Sequence, residues 1–152
     1  MATFAGQSVP TLTPDLLGTQ RLMGRYSVAV DGTSTTTKSI GALRAGSLLN
    51  PTGIFGAVSV AFDGTTPLID VYLVPKSTGT VDTNAILPTS VITEGTTGFY
   101  YSTAALVKTA GYVGKLTEDC EVVVVFTAGG SNTVGVIDIV IPFHHDLDPT
   151  SY

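Results

Sequence analysis

Apolar residues along this chain fall into short β-branched and aromatic runs, each closed by Gly, Asp, Asn, Thr or Pro. The strongest pair lies between Glu121 and Phe143. Residues 121–127 read Glu-Val-Val-Val-Val-Phe-Thr, residues 136–143 read Val-Ile-Asp-Ile-Val-Ile-Pro-Phe, and a Gly-rich stretch joins them. Two such runs around a Gly-rich turn predict a β-hairpin. By alternation, Val122, Val124 and Phe126 share one face and Val123 and Val125 the other; Ile137, Ile139 and Ile141 oppose Val136 and Val140. Strands apolar on both faces are buried on both, or lie in an interface. Ile137, Ile139 and Ile141 are therefore expected to face the core, with Val136 and Val140 against an adjoining layer or a neighbouring subunit.

Residues 1–25 do not read as strand. Pro10 and Pro14 bracket residues 11–13, and Gly6, Gly18 and Gly24 interrupt the rest. Asp15 is placed to cap a short helix over Leu16 to Met23, but Gly18 weakens it. The segment is expected to be an extended arm, with Phe4, Val9, Leu12, Leu16, Leu17, Leu22 and Met23 as apolar hooks. Tyr26 to Val30 predicts a first strand, Thr35 to Ile40 a strand or loop, and Leu43 to Pro51 a loop. Ile54 to Phe62 is a long strand with Ile54, Val58, Val60 and Phe62 on one face. The turn Asp63 to Pro67 leads into Leu68 to Val74, a second expected hairpin. Pro75 to Pro88 reads as a long surface loop with a helical turn near Thr83 to Leu87. Ser90 to Thr93, Gly98 to Tyr101 and Tyr112 to Leu116 are short strand candidates, and Ala104 to Val107 is too short to predict a helix. From His144 the chain is polar. The resulting division is an arm over 1–25, a β domain over 26–143 and a tail over 144–152.

A weak repeat runs through this pattern. Val28-Ala-Val-Asp-Gly-Thr-Ser and Val60-Ala-Phe-Asp-Gly-Thr-Thr match, and residues 124–131 resemble both loosely. Asp-Gly and Gly-Gly suit left-handed turn positions, so one geometric need met three times accounts for it. Turn signals every 8–12 residues favour an all-β sandwich or barrel over βαβ units.

Composition then narrows the function. At 152 residues the chain is one domain's worth and is large enough to fold without staples. Only 12% of residues are charged, and the mean hydropathy is +0.38. So few charges suggest a surface partly covered by partners. A net charge of −5 argues against nucleic-acid binding. The charge is uneven: residues 1–44 carry 4 − 2 = +2 and the rest 3 − 10 = −7, a polarity suited to steering docking. Cys120 has no second cysteine to pair with and reads as a small buried residue entering a strand. No signal peptide and no apolar run of membrane length are visible, so synthesis in the cytoplasm and no membrane partner are expected.

No catalytic constellation emerges. His144 and His145, followed by Asp146 and Asp148, are adjacent residues that point to opposite sides of an extended chain and lack spaced zinc-ligand pairs. No Gly-x-Ser-x-Gly elbow is present, and nothing pairs Asp63, Asp70, Glu94 or Asp138 as acid and base. Asp31 and Asp63 read as turn residues. Asp138, among apolar strand residues, reads as a salt-bridge partner or an edge-strand guard. Gly129-Gly130 opens a strand, not a phosphate-binding helix. No cofactor, metal or enzymatic activity is expected.

Residues 58–71, of the form Val-x-Val-Ala-Phe-Asp-Gly-Thr-Thr-Pro-x-Ile-x-Val, are followed by Tyr100-Tyr-Ser, Ala110-Gly-Tyr, the run 122–130, and Val140-Ile-Pro-Phe. Together they resemble small structural proteins of tailed bacteriophages, in particular capsid decoration (cement) proteins and related virion β-sandwich proteins. The resemblance covers about residues 26–143. It implies an antiparallel, jelly-roll-like β-sandwich and a homo-oligomer, dimer or trimer, located in the virion on the capsid surface. It also implies bridging of neighbouring capsomers of the major capsid protein, without catalysis. On that reading the contact residues are Phe4, Val9, Leu12, Leu16, Leu17, Arg21 and Arg25, together with the Pro75–Pro88 loop. The alternative is a receptor- or glycan-binding sandwich of a fibre or tail accessory protein, which an exposed cluster of Tyr100, Tyr101 and Tyr112 would favour.

Overall fold

The two dominant runs form strands, but they do not pair with each other. The computed structural model describes residues 20–81 and 84–145. Its strands are β1 (Gln20–Ser27), β2 (Thr36–Leu43), β3 (Ser47–Leu49), β4 (Phe55–Val60), β5 (Leu68–Pro75), β6 (Gly98–Tyr101), β7 (Cys120–Thr127) and β8 (Val136–His145). They build two antiparallel sheets. The larger has the order β1-β8-β4-β6, with β3 also on β8; the smaller is β2-β7-β5. The fold is an all-β sandwich.

The pairing is nested. The first strand lies on the last, β2 lies on β7, and β4 lies on β6. Residues 85–87 complete the set beside β5: the Val71 N–H donates to Leu87 O at 2.9 Å and the Ile86 N–H to Val71 O at 2.8 Å. This winding, with short β3 added on β8, is that of a jelly roll.

Both expected hairpins are therefore corners. β7 belongs to the small sheet and β8 to the large one; β4 and β5 are split the same way, as are β1 and β2. Alternation fixes which face a residue takes, but not which strand it pairs with. A two-residue primed turn would have forced pairing; these longer connections have room to span the roughly 10 Å between layers. The three copies of the weak repeat are these three corners, all at one end of the sandwich. They are tied together there. The Asp63 carboxylate accepts from the Thr133 N–H at 2.7 Å, from the Val134 N–H at 3.0 Å and from the Thr133 hydroxyl. Asn132 donates to Asp63 O, and the Val28 N–H donates to Gly135 O at 3.0 Å.

The sandwich begins earlier than the arm boundary at residue 25. Gln20 to Arg25 are part of β1, paired with β8 from Phe143 to Asp138. The glycines that break the sequence pattern are what the packing needs. A Cβ on Gly24 would lie 2.3 Å from the Ile40 Cβ, and one on Gly41 would lie 2.5 Å from a Leu22 methyl. Each glycine thus seats an aliphatic side chain from the other sheet where β1 and β2 approach. At the other end, β8 runs through His145, so the polar stretch starts inside a strand. Residues 1–19 and 146–152 lie outside the described residues.

Other local expectations change for identifiable reasons. Ala85, Ile86 and Leu87 are buried, so the Pro75–Pro88 segment is not all surface loop, and Leu87 bridges Val71 where a helical turn was expected. Val60 is 43% exposed, because a register irregularity between Val58 and Val60 removes it from the inward face. Ser90 and Val91 are turn and no strand forms over Ser90 to Thr93, while Tyr112 to Leu116 holds one bridge, Leu48 to Lys115. A helix spans Ala104–Thr109, capped by the Thr103 hydroxyl accepting from the Leu106 N–H at 3.2 Å, with Val107 buried.

The core lies between the sheets. Ile137, Ile139 and Ile141 of β8 face Val122, Val124 and Phe126 of β7, all fully buried. Tyr26 and Phe62 flank Phe126 at ring-centroid distances of 5.1 and 5.9 Å. Burying each large side chain contributes about 1.5–3 kcal/mol relative to exposure.

Candidate interaction surface

The outward faces of the two sheets differ. On the large sheet, the register aligns Met23, Val140, Phe55 and Tyr101 in one row across β1, β8, β4 and β6. The next row is Arg25, Asp138, Ala57 and Phe99. Met23 is 68% exposed, Phe99 67% and Tyr101 53%, while Val140 beneath them is buried at 8%. Phe55 holds the aromatic pair, with its ring 5.9 Å from Phe99 and 5.3 Å from Tyr101. A shallow groove of about 540 Å³ runs over this face, walled by Arg21 and Met23 on one side and Tyr101 on the other, with Pro142 and Gly53 at its end.

These residues take the surface because β4 and β6 alternate strictly here. Gly56 and Val58 point into the core, which sends Phe55 and Ala57 outward; Tyr100 packs on the core, which sends Phe99 and Tyr101 outward. The sequence carried this signal in the i, i+2 spacing of Phe99 and Tyr101, but the partner strand that assembles them with Met23 and Phe55 was not readable.

On the small sheet, the corresponding rows are Thr37–Val125–Asp70 and Ser39–Val123–Tyr72. Asp70 accepts from the Thr89 N–H at 2.7 Å, and Val123 is buried. Burial, and then the neighbouring Asp70, raise the Tyr72 phenol above its ordinary pKa.

Of the expected contact residues, Phe4, Val9, Leu12, Leu16 and Leu17 lie outside the described residues. Arg21 and Arg25 stand on the exposed face of β1. Arg25 is bidentate to Asp138 at 2.7 and 3.1 Å, which raises the guanidinium pKa further, by hydrogen bond and then by charge. Asp138 is thus a salt-bridge partner on a central strand, not an edge guard. Arg21 has no acidic partner among the described residues.

The three tyrosines do not form one platform. Tyr101 is exposed, whereas Tyr100 and Tyr112 are half-buried and pack on the core; the Tyr100 hydroxyl donates to Thr96 O at 2.8 Å. The carboxylates are absorbed by structure as well. Buried Glu94 accepts from the Ile69 N–H at 2.9 Å and from the Thr89 hydroxyl, so it and Asp70 converge on Thr89 as caps. Asp31 accepts from the Ser27 N–H and pairs with Lys38 at 2.8 Å; burial disfavours its ionised form, but these two partners outweigh that and lower its pKa. Asp63 is held down to about 2, first by the Thr133 hydroxyl and then by the Val134 and Thr133 N–H groups. Cys120 is buried. Among the described residues, no group of three or more His, Cys, Asp or Glu is placed to hold a metal, and no helix is long and apolar enough to cross a membrane.

No protein-family model and no curated protein matches this chain. Its fold is shared by solved structures of phage capsids. A chain from the capsid of Ralstonia phage GP4 superposes with a TM-score of 0.58 at 14% identity, over 85% of this chain and 86% of that one. A chain from the cyanophage Pam1 capsid asymmetric unit gives a TM-score of 0.52 at 11% identity, over 84% and 85%. At these identities the likeness is one of fold. The near-equal coverage means that each matched chain has about the length of this one.

Proposed function

We propose that this chain is a structural protein of a tailed-bacteriophage virion that binds the outside of the capsid and stabilises it by bridging neighbouring capsomers. The observation that carries this reading is the combination of fold and face. A jelly roll matched over about 85% of its length by phage-capsid chains of similar length presents an aromatic outer face that nothing within the described residues covers. A fold alone hosts many functions, and jelly rolls serve in both capsids and lectins, so the reading leans on the face as well as on the fold. A sugar platform built on Tyr100, Tyr101 and Tyr112 is disfavoured, because two of the three pack on the core.

On this reading the partners are the major capsid protein and further copies of this chain, as a dimer or trimer. The contacts are the outer face of the large sheet with Arg21 and Arg25, and the apolar residues Phe4, Val9, Leu12, Leu16 and Leu17 ahead of it. The role is mechanical, without a catalytic step or cofactor. Each contact is modest, and repetition on a symmetric shell multiplies it. Binding the assembled lattice but not its dissociated parts stabilises the lattice by linkage. The test is saturation binding of the purified chain to bare capsids, followed by sedimentation and heating. Co-sedimentation at a stoichiometry set by lattice symmetry, with a raised disruption temperature, is expected. A chain that ignores capsids and binds glycans instead would overturn the reading.

A further inference from the structure

We infer that two copies of this chain join edge to edge through β6, so that the large sheet of one copy continues into that of the other. A further copy is already a partner in the proposed function, on which this rests, but the seam is read from the strand edges alone. Those edges are not alike. On β1, Lys38 Nζ donates to Arg25 O at 2.7 Å, and Arg21 and Arg25 stand on the same strand. β2 carries a register irregularity between Ser39 and Gly41. β5 is met at Val71 by residues 86 and 87. β6 has none of these. No strand among the described residues lies on its outer side, and residues 95–107 contain no charged residue and no proline. Charges, prolines, bulges and covering segments are the devices that keep an edge strand from pairing with another chain.

The free edge is also self-complementary. The Ser102 N–H donates to Ile54 O at 2.8 Å, in the register that sets Phe55 opposite Tyr101. Antiparallel bonding alternates, so Tyr100 and Gly98 also bond toward β4, while the N–H and C=O groups of Phe99 and Tyr101 point away from it. None of those outward groups has a partner among the described residues. A twofold axis beside Tyr100 sets Phe99 of each copy opposite Tyr101 of the other, and each of these pairs can exchange both N–H···O bonds. Opposite residues share a face. Phe99 and Tyr101, 67% and 53% exposed, therefore meet their counterparts on the outer side and extend the aromatic cluster around Phe55. Their rings leave roughly 250 Å² open per copy, and with the backbone of both strands the seam comes to about 1,000 Å². That is the lower end for a specific interface, which suits a dimer that forms as concentration rises and not an obligate one. The dimer would set two outer faces side by side on one continuous sheet.

The test is sedimentation of the full chain over a concentration series, with amide hydrogen exchange read on the same samples. The mass should rise from 15.7 kDa toward twice that value. Over the same range, exchange of the Phe99 and Tyr101 amides should slow by at least about tenfold, while that of the Tyr100 amide, already bonded to β4, should not change. Phe99→Lys sets like charges on one face across the axis and should weaken the dimer at least about tenfold. Met23→Lys, three strands away on the same face, should leave it intact. A chain that stays monomeric to millimolar concentration would overturn the inference, as would a Phe99→Lys chain that dimerises like wild type. A dimer or trimer whose Phe99 and Tyr101 amides exchange as they do in the monomer would also overturn it, by placing the seam elsewhere. Every readout is taken without capsids, so failure here leaves capsid binding to its own co-sedimentation test.

Discussion

The two sheets of this sandwich are alike inside and unlike outside. Inward, each contributes a fully buried β-branched and aromatic layer, Ile137, Ile139 and Ile141 from one and Val122, Val124 and Phe126 from the other. Outward, the small sheet shows Thr37, Ser39, Asp70 and Tyr72 around its valines, whereas the large sheet shows Met23, Phe99 and Tyr101 over Phe55 and Val140. The inward likeness is what any sandwich of this size needs to fold. The outward difference is not needed for folding, and it is the reason the proposed contact surface is placed on the large sheet.

That contrast can be broken at its strongest point first. Ile139→Ala removes a fully buried side chain from a central strand and should cost about 2–5 kcal/mol of stability by urea unfolding. Met23→Ser, on the outward side of the neighbouring strand, should stay within about 0.5 kcal/mol of wild type. Comparable losses at both positions would mean that the outer face is part of the folding core. Next in size is Gly24→Val. Its Cβ would meet Ile40 at the place where the sheets close on each other, and overpacking there should cost about 1–3 kcal/mol.

The corners that hold the two sheets in register give a smaller, pH-dependent effect. Asp63 titrates at about 2 in the folded chain, against about 3.9 when unfolded. A depressed folded pKa contributes stability that is present in full above about pH 4 and is lost as the pH falls through about 2. Asp31 acts in the same direction. Asp63→Asn should therefore lower the urea midpoint at pH 7 and flatten its fall between pH 4 and 2. An unchanged acid limb would remove Asp63 from the account. The smallest effect is expected for Arg25→Ala: its pair with Asp138 is exposed and screened, so the thermal midpoint at 150 mM salt should not move measurably.

Much of the inward side was legible in the sequence. The alternation in 122–126 and 137–141 placed every core residue of β7 and β8 on the correct face, and Asp63 was recognisable as a turn residue; Asp31 instead ends a single helical turn, Val28–Asp31. Pairing was not legible, because alternation carries no information about partners, and corners were read as hairpins. β1 was cut short because Gly24 looks like a break until Ile40 is seen to fill its place. Ile86 and Leu87 were missed because an element of three residues has no period to detect. The outer face needed all of this: Met23, Val140, Phe55 and Tyr101 are far apart in sequence, and only the nested pairing of four strands sets them in a row.

The most direct test of the central claim compares capsid binding by two double variants. Met23→Glu with Tyr101→Glu charges the outer face of the large sheet; Thr37→Glu with Ser39→Glu charges that of the small sheet. Both variants should fold like wild type. Co-sedimentation with bare capsids should fall at least about tenfold in affinity for the first, a loss of about 1.4 kcal/mol, and remain at the wild-type level for the second. Equal binding by both, or selective loss in the second, would contradict the assignment of the large sheet as the contact face.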